Sequence, residues 1–386
     1  MAIMGFGTVG SGAYDISRNV EGLEVTRILA RHGREGYEFL NDIITADIDD
    51  ITGDSEIELV VESIGGISPA REYVLACLNA GKHVVTPNKN LISAHYDELM
   101  QAAEKNDVQL RFTPTAGGGI PWLFNLQRTA RCDAINEIHG IVNGTCNYIL
   151  DAMSKSGADF GVMLKNAQEL GYAEADPSAD IEGTDTLRKT VISASLAFGG
   201  TVSEEDVLCY GIDTINSDDI AYLKKQGYAV RLLMNAKRLG DGKISAYVEP
   251  TAIPLASLEA NVGENNNLIT LTAEGIGTQS FYGQGAGKLP TGESVIQDVI
   301  DIRDGISVSS AAGGVKLAVD NASEIHRYYI RHDRMCEHIS PLIDTYEEKD
   351  GVFYCISKPV AASRMHEMAH HRKEKGRAMF IAGIKE

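Results

Sequence analysis

The chain has 386 residues, which is too long for one average hydrophobic core and predicts two or three domains. Its hydrophobic content of 44% and charged content of 23% are ordinary for a soluble globular protein. The net charge of −19 argues against nucleic acid or an anionic membrane surface as a partner, because both attract basic proteins.

Membrane and secretory features are not evident in the sequence. No apolar run reaches about eighteen residues, and no basic segment precedes an apolar stretch at the N-terminus, so we expect neither a spanning helix nor a secretory signal. The cysteines are widely spread, without a CxxC pair, which is typical of reduced and mostly buried thiols. They are Cys77, Cys132, Cys146, Cys209, Cys336 and Cys355. These features predict a cytoplasmic protein.

The N-terminus has the pattern of a nucleotide-binding βαβ unit. An apolar strand leads into the glycine-rich loop GFGTVG, a helix is predicted through Tyr14–Asn19, and a second strand is predicted at Val25–Ala30. In such loops the first glycine permits a tight turn, the second lets a pyrophosphate approach the backbone, and the third allows close helix–strand packing. The following helix N-terminus offers free N–H groups to the phosphates. The predicted cofactor contacts are Gly5, Phe6, Gly7, Thr8, Val9 and Gly10.

The end of the second strand indicates which dinucleotide binds. An acidic side chain there accepts hydrogen bonds from the ribose 2′-hydroxyl of NAD. This chain instead has Arg31-His32-Gly33-Arg34. Guanidinium groups suit a 2′-phosphate, so the sequence favours NADP, and the alternative is that Arg31 and Arg34 are ordinary solvated loop charges.

Alternating strands and helices continue, as in a doubly wound parallel sheet. The predicted elements are a strand at Ile57–Ser63, a helix with Ser68 as N-cap and Pro69 in its first turn that closes at Gly81, a strand at His83–Pro87, a helix from Ser93 to Lys105 and a strand at Val108–Thr113. Lys89 follows the end of a strand, where open α/β sheets bind ligands.

The second half of the chain changes character and becomes richer in strands. It begins with a strand at Ile135–Val142 and helices at Tyr148–Ser154, Asp159–Leu170 and Thr184–Ala197, and is β-rich from Tyr228 onward. A helix at Val295–Ile302 is expected to return to the first domain. The tail is predicted as a strand (RYYIR), a helix at Met335–Tyr346, a strand (VFYCIS), a helix at Ser363–Lys375 and a strand (MFIAGI). In the last helix, His366, His370 and His371 have the spacing of metal ligands, but a solvated basic helix is favoured.

The segment LGYAEADPSADIEGTDTLRK (Leu170–Lys189) concentrates carboxylates before an Arg-Lys pair. Asp185 and Lys189 are four residues apart and therefore share one face of the predicted helix. Taken alone, an aspartate and a lysine at this spacing most often form an ion pair on the protein surface. In this acidic context, a lysine beside carboxylates is also suited to proton exchange with a hydroxyl or carbonyl oxygen.

The longer segment Ala167–Lys189 resembles the signature of the homoserine dehydrogenase family. Other matching pieces follow in family order: GFGTVG, TPNK (Thr86–Lys89), GGGIP (Gly117–Pro121), GIVNGTCNYIL (Gly140–Leu150) and GAGKLPT (Gly285–Thr291). The resemblance covers roughly residues 1–310. It implies reversible, NAD(P)-dependent interconversion of L-homoserine and L-aspartate 4-semialdehyde, in the biosynthesis of threonine and methionine.

The resemblance also implies roles for single residues. Lys189 matches the proton donor or acceptor, with Asp185 beside it as a further substrate contact. Glu174 matches the residue that binds the substrate amino group, and Lys89 matches a second active-site lysine near the nicotinamide and the substrate. Gly144 and Thr145 would line the pocket, unless they form a plain strand–helix turn, and Tyr172 either contributes its hydroxyl or only packs. Gly171 and Gly285 are further predicted cofactor contacts. Cys146 lies inside this region, where a small buried thiol is favoured over a nucleophile.

The chain departs from the family in two regions. Thr113 stands where many members have a glutamate in a monovalent-cation site, and Ala116 replaces a common valine. Oxygens of Thr113, Ala116, Gly118 and Ile120 remain available for sodium, with weaker attraction. The tail resembles a reduced ACT regulatory module, which leaves feedback by an amino-acid effector open.

The overall prediction is an α/β protein of three parts. These are a Rossmann-type doubly wound parallel sheet domain (residues 1–125, completed by about 290–320), an α+β catalytic and dimerisation domain (126–290) and a small C-terminal ACT-like βαβ module (325–386). The family resemblance suggests a homodimer or higher homo-oligomer. A related NAD(P)-dependent amino-acid or semialdehyde oxidoreductase and a nucleotide-sensing regulatory protein on the same scaffold remain alternatives.

Overall fold

The computed structural model describes residues 1–306, 314–335, 337–376 and 379–385. Cys336 and residues 307–313, within the stretch of about 290–320 predicted to complete the first domain, therefore lie outside the described residues. The chain divides into two compact units. Unit 1 comprises Met1–Ala134, Ser195–Ser203 and Gly283–Lys316, and unit 2 comprises Ile135–Ala194, Glu204–Tyr282 and Leu317–Glu386. Among the helices in the described ranges, none is both long and apolar enough to cross a membrane.

The first part of unit 1 alternates strands with helices. Its elements are β1 (Ala2–Met4), α1 (Thr8–Ser17), β2 (Arg27–Leu29), β3 (Ile44–Thr45), α2 (Asp49–Thr52), β4 (Leu59–Glu62), α3 (Ala70–Asn79), β5 (His83–Val85), α4 (Lys89–Lys105), β6 (Leu110–Arg111) and α5 (Trp122–Ala130). The described strands form one parallel sheet in the order β3-β2-β1-β4-β5-β6. This is the strand order of a dinucleotide-binding Rossmann domain, so the predicted doubly wound sheet is confirmed.

Three helix starts in unit 1 differ from the prediction. Helix α1 begins inside the GFGTVG motif, at Thr8, with Gly7 as N-cap. Helix α3 begins at Ala70 with Pro69 as N-cap, and Ser68 caps nothing. Helix α4 begins at Lys89, four residues earlier than predicted, because the side chain of Asn88 accepts a hydrogen bond from Leu91 N and caps the helix there.

Unit 2 opens with one strand and a series of helices and continues with long strands. From Ile135 onward the chain forms β7 (Ile135–Ile141), α6 (Gly144–Ser156), α7 (Phe160–Glu169), α8 (Ser178–Ile181), α9 (Thr184–Phe198), β8 (Leu208–Cys209), α10 (Ser217–Lys225), β9 (Tyr228–Arg238), β10 (Lys243–Pro254), β11 (Asn266–Ala273) and β12 (Gly277–Gln284). The hairpin of β9 and β10 pairs eleven residues of each strand and lies at the centre of the sheet.

The remaining elements are α11 (Lys288–Arg303), β13 (Ala318–Val319), β14 (Ile325–His332), β15 (Ile343–Lys349), β16 (Val352–Ser357), β17 (Val360–Ala361), α12 (Ala362–Glu374) and β18 (Met379–Ile384). Helix α11 belongs to unit 1, where its apolar face, including Val295 and Val299, joins the core formed by Ile3, Ile28 and Val61. Its close approach to α1 requires glycine, because a Cβ on Gly12 would lie 2.2 Å from the carbonyl oxygen of Lys288.

The tail strands extend the sheet of unit 2. In the described residues this mixed sheet runs β12-β11-β7-β9-β10-β18-β14-β16-β15, with three short strands attached at its sides. The mixed sheet confirms the predicted α+β character, and the ACT-like detail stays a prediction. One apolar core, which includes Val248, Tyr328 and Phe380, spans the β-rich part and the tail.

Two predictions for the tail are wrong. The predicted helix at Met335–Tyr346 is replaced by a short 3₁₀ turn at Ser340–Leu342 and by β15, because residues of β15 pair with the neighbouring β16. The prediction of a solvated basic helix fails at His366. Its side chain is only 1% exposed and its Nε2 donates to the buried carboxylate of Glu249.

Candidate active site

The glycine loop of unit 1 has the geometry that a dinucleotide requires. Gly5 has φ +86°, and a Cβ there would lie 2.7 Å from the carbonyl carbon of Ser63. A Cβ on Gly10 would lie 2.2 Å from the carbonyl oxygen of Gly5, whereas nothing lies within 4 Å of a Cβ on Gly7. Helix α1 starts at Thr8 without a side-chain cap, so its first N–H groups are available to a phosphate. These residues fit the pyrophosphate of NAD(P).

The two arginines after β2 lie in different environments. Arg31 is exposed, whereas Arg34 is partly buried and its Nη1 donates to the carbonyl oxygen of Phe6, at 3.2 Å. Arg34 is therefore held against the glycine loop. The ring of Phe6 packs edge-on against Tyr37, with 5.2 Å between ring centroids. Tyr37 lies three residues after Arg34, so the segment that follows β2 contacts the glycine loop at two places.

A buried carboxylate organises the turn that leads to Lys89. Glu62 ends β4 with no exposure, accepts from the backbone N–H groups of Ile64 and Gly65, and accepts from the hydroxyl of Thr86. Thr86 in turn accepts from Asn88 N at 2.9 Å. Burial raises the pKa of Glu62, although these hydrogen bonds oppose the rise. Lys89 is thereby set at the first position of α4.

Asn88 completes this turn by a bond to the preceding loop, since its Nδ2 donates to Gly66 O at 2.7 Å. The sequence prediction included Lys89 and missed Glu62. The available signal was an acidic residue at the end of an apolar strand, where ligand-facing loops begin in this fold.

The residues predicted for a cation site all lie in unit 1. The backbone N–H of Thr113 donates to Asp298 Oδ2 at 3.0 Å. The carbonyl oxygen of Gly118 accepts from Ser294 Oγ at 2.6 Å, and that of Ile120 accepts from Trp122 N at 2.7 Å. Two of the proposed carbonyl ligands are thus already hydrogen-bonded. In the described residues no group of three or more His, Cys, Asp or Glu side chains is arranged to hold a metal.

Asp298 was missed by the sequence prediction. Its carboxyl group, on α11, is 2% exposed and accepts a hydrogen bond from the backbone N–H of Thr113, the position at which the resemblance implies a glutamate in many members. Burial raises the pKa of Asp298 to about 7, against the lowering effects of Thr113 and Arg111. The neighbouring Gly118 packs against Gly285, because a Cβ on Gly118 would lie 2.4 Å from the Gly285 carbonyl carbon. The fourth position, Ala116, is fully buried and directly follows a 3₁₀ turn at Thr113–Thr115.

In unit 2, the Asp185–Lys189 pair is buried in the first turns of α9. The Nζ of Lys189 lies 2.8 Å from Asp185 Oδ2 and donates to the carbonyl oxygen of Val142 at 2.7 Å. Lys189 is 8% exposed and Asp185 is 7% exposed. The surface-pair alternative is therefore excluded. A buried ion pair costs desolvation energy, which is why such pairs are often retained for function and not for stability alone.

Asn143 connects this pair to a second carboxylate. Its Nδ2 donates to Asp185 Oδ2 at 2.9 Å and to Asp180 Oδ1 at 2.7 Å, while its Oδ1 accepts from Cys146 N and caps α6. Burial raises the pKa of Asp180; the Asn143 amide opposes this, and the charge of Asp185 adds to it. Asn143 was missed, although an asparagine directly before a helix is a recognisable N-cap signal.

The remaining predicted pocket residues of unit 2 surround the start of α6. Thr145 Oγ1 donates to the carbonyl oxygen of Tyr172 at 2.6 Å, and the Tyr172 ring packs edge-on against Tyr148. Gly144 permits close approach, because a Cβ there would lie 2.5 Å from the carbonyl oxygen of Asn265. Gly171 has φ +77° in the turn before Tyr172.

Glu174 and Cys146 differ in exposure. The side chain of Glu174 is exposed, so its carboxylate is accessible to a ligand. Its backbone carbonyl accepts a hydrogen bond from Gln168 Nε2 at 3.1 Å. Cys146 is fully buried, its Sγ donates to the carbonyl oxygen of Asp180, and burial raises its pKa well above the usual value. Cys146 is accordingly a protonated packing residue and not a nucleophile.

An open glycine loop at a helix N-terminus within a 3-2-1-4-5-6 parallel sheet is the arrangement of NAD(P)-dependent oxidoreductases. Comparison with known proteins agrees with this class. The family model for the homoserine dehydrogenase NAD-binding domain matches residues 5–113, and that for homoserine dehydrogenase matches residues 121–300. The chain belongs to the homoserine dehydrogenase family.

Curated and solved relatives support this assignment. Homoserine dehydrogenase of Corynebacterium glutamicum is 41% identical over 78% of this chain and 71% of its own, and that of Synechocystis is 36% identical over 93% and 83%. The solved homoserine dehydrogenase of Thiobacillus denitrificans has a TM-score of 0.88 at 30% identity, covering 100% of this chain and 97% of its own. A hyperthermophilic archaeal homoserine dehydrogenase, solved with NADPH, has a TM-score of 0.67 at 25% identity, over 80% and 98%.

Proposed function

We propose that the chain interconverts L-homoserine and L-aspartate 4-semialdehyde and that Lys189 exchanges the proton at the substrate oxygen. The observation that carries this role is the buried pair itself, with Lys189 Nζ 2.8 Å from Asp185 Oδ2. In the reducing direction Lys189 donates a proton to the carbonyl oxygen, and in the oxidising direction it accepts the hydroxyl proton. When bound, NAD(P) supplies or accepts the hydride at the adjacent carbon.

Asp185 and Val142 orient Lys189 for this step. Asp185 Oδ2 and the carbonyl oxygen of Val142 each accept a hydrogen bond from the Nζ of Lys189. An ammonium group has three N–H donors, so the third can point to a substrate oxygen. Asn143 holds Asp185 in turn through a bond of 2.9 Å. A proton carrier fixed in this way loses little free energy to reorganisation when the substrate reacts.

The substrate is an amino acid, so its charges indicate which groups bind it. Glu174 presents an exposed carboxylate for the ammonium group, and Lys89 supplies a positive charge for the carboxylate. The hydroxyl of Thr145 is already committed to the Tyr172 carbonyl, so we assign Thr145, Tyr172 and Gly144 to shaping the pocket wall.

Replacing Asp185 by Asn tests the assignment. The amide keeps the shape of the carboxylate but removes the charge that holds Lys189, so kcat should fall by at least about tenfold. The dissociation constant for the cofactor, measured by fluorescence titration, should stay within about twofold. An Asp185→Asn enzyme with wild-type kcat would contradict the proposed proton step. Replacing Asp176, an exposed residue whose carboxylate accepts hydrogen bonds from Ser178 N and Oγ, by Asn is the matched control.

We further propose that NADP is preferred over NAD. The support is the position of Arg34, whose guanidinium is held at the carbonyl of Phe6 in the glycine loop, together with the exposed Arg31. A guanidinium group recognises a 2′-phosphate through paired hydrogen bonds. The loop residues Gly5–Gly10 would hold the pyrophosphate, and Gly171 and Gly285 stay as predicted cofactor contacts.

Sodium, assembly and an effector are also proposals. Asp298 places a carboxyl group beside Thr113, and its negative charge, which develops as the pH rises through its pKa of about 7, favours a weak monovalent-cation site. Titration of activity with sodium against potassium tests this site. The exposed strand β12 at one end of the mixed sheet favours a homodimer, which light scattering can test.

The resemblance of the tail to an ACT module leaves feedback by an amino acid such as threonine open. Calorimetric titration with threonine tests whether the protein binds it.

A further inference from the structure

The C-terminal helix α12 is fastened to a short segment of unit 2 that we call the bridging segment, residues Cys209–Asp213. The Nε2 of His370 donates to the carbonyl oxygen of Cys209 at 2.9 Å. The Nζ of Lys373 lies 2.7 Å from Asp213 Oδ2. Because the two contacts are one helical turn apart on α12, they hold both ends of the bridging segment.

Tyr210 anchors the middle of the bridging segment to the same C-terminal elements. Its hydroxyl donates to the carbonyl oxygen of Met379, in β18, at 3.0 Å. Its ring packs edge-on against His366 and His370, with 6.3 and 5.7 Å between the ring centroids. Tyr210 is only 2% exposed, so these contacts are shielded from water. A hydrogen bond in such a surrounding is stronger than one in water.

The opposite side of the bridging segment contacts the turn between α8 and α9, residues Ile181–Gly183, which we call the catalytic turn. Ile212 N donates to the carbonyl oxygen of Ile181 at 2.7 Å. Gly211 packs directly on this turn, because a Cβ there would lie 2.1 Å from the same carbonyl oxygen and 2.5 Å from Glu182 Cα. The two backbones therefore cannot move independently.

Cys209 provides a second contact with the catalytic turn. Its Sγ donates to the carbonyl oxygen of Glu182, and a Cβ on Gly183 would lie 2.9 Å from the same sulfur. Gly183 has φ +90°, a conformation that favours glycine. It immediately precedes α9, so the contact sets where that helix begins.

The catalytic turn connects Asp180 with Asp185, the two carboxylates that share the Asn143 amide. We propose that His370 and Lys373 are positioning residues: they hold the bridging segment, which fixes the catalytic turn and hence the Asp185–Lys189 pair. The tail is on this view part of the catalytic apparatus of unit 2. The proposal rests on the proton-exchange role proposed for Lys189.

The test uses the full-length protein carrying His370→Phe together with Lys373→Met. The phenylalanine ring keeps the packing on Tyr210 but donates no hydrogen bond, and methionine keeps the aliphatic chain but removes the charge. We expect kcat to fall by at least about fivefold, because small displacements of catalytic groups cost large factors in rate. The dissociation constant for NADP should remain within about twofold.

A second readout follows the catalytic turn itself. Hydrogen–deuterium exchange of the peptide spanning residues 178–190 should be at least about fivefold faster in the double variant. This measurement needs no turnover, so it separates the two proposals. If exchange is faster in the double variant but a Lys189 variant keeps wild-type kcat, the positioning role of His370 and Lys373 stands and the proton role of Lys189 is overturned. Unchanged exchange in the double variant would overturn the positioning role.

Two control variants distinguish positioning from general loss of stability. His370→Gln keeps a donor at the place of Nε2 and should restore kcat to within about twofold of wild type. His371→Phe changes the adjacent, exposed histidine of α12 and should leave kcat and exchange unchanged. A loss of kcat in His370→Gln equal to that in the double variant, or a wild-type kcat in the double variant, would overturn the proposal.

Discussion

Asn143 allows the account of the active site to be tested by stability as well as by rate. Its single side chain caps α6 and donates to two carboxylates, Asp180 and Asp185. Removing an N-cap costs about 1 kcal/mol, and each hydrogen bond to a charged group contributes about 1.5–3 kcal/mol. Asn143→Ala should therefore lower the free energy of unfolding by about 4 kcal/mol, which is a large share of a typical total of about 5–15 kcal/mol.

Two further substitutions separate the contributions of Asn143. Asn143→Ser keeps a capping oxygen, so it should recover about 1 kcal/mol relative to alanine. Asn143→Asp also keeps the cap but adds a third carboxylate beside Asp180 and Asp185, where each unit-charge repulsion amounts to about 4 kcal/mol at 4 Å in a partly screened site. The aspartate variant should be the least stable at pH 7 and should recover as the pH falls, because protonation relieves the repulsion.

Urea denaturation followed by circular dichroism, between pH 5 and pH 8, measures these differences. The accompanying kcat for L-homoserine oxidation should fall by about 100-fold in the alanine and serine variants, because Asp185 loses the donor that orients it. The reasoning would be refuted by an alanine variant within about 1 kcal/mol of wild type, or by an aspartate variant as stable as wild type at pH 7.

Three other outcomes follow from single residues. Arg34→Ala should lower kcat/KM with NADP by at least about tenfold and leave that with NAD within about twofold, and steady-state assays with both cofactors measure this. Glu174→Gln should raise the KM for L-homoserine by about tenfold without changing the KM for NADP. Burial raises the pKa of Glu249, but His326 and its neighbours lower it to about 2, below the ordinary 4.5, so its stabilising contribution is full above pH 4.5 and lost as the pH falls towards 2. Acid titration of unfolding should therefore show a shallower loss in Glu249→Gln than in wild type.

The sequence predicted those features that depend on local spacing. The glycine loop, the parallel sheet and the shared helix face of Asp185 and Lys189 all follow from periods of a few residues. Their burial did not follow, because it depends on Val142 and Asn143, which lie more than forty positions earlier in the chain. A surface ion pair and a buried catalytic pair have the same local pattern.

Contacts between distant residues explain the omissions. Glu62 and Thr86 are 24 positions apart, and Thr113 and Asp298 are 185 apart, so neither partnership is visible in a sequence window. Burial of His366 likewise depends on Glu249, 117 positions away. Each of these carboxylates is buried with a partner, as burial of an ionisable group requires.

The error at Met335–Tyr346 has a different cause. Residues such as Met335, Glu337 and Leu342 favour helix by intrinsic propensity. From Ile343 onward, however, the segment lies in β15, at the edge of the mixed sheet, where the last six residues of the strand are exposed. Pairing with β16 decides the conformation, and charged residues on an edge strand also discourage association with other chains.

Single-turnover kinetics of Lys189→Met test the central claim most directly, namely that Lys189 exchanges the proton at the substrate oxygen. The variant is mixed with saturating NADP and L-homoserine, and the nicotinamide absorbance is followed, so that binding and product release do not contribute. Proton transfer by a positioned side chain typically accounts for about 100-fold to 10,000-fold in rate. The account predicts a rate constant at least about 100-fold below that of wild type, with an unchanged dissociation constant for NADP; a wild-type rate constant would contradict it.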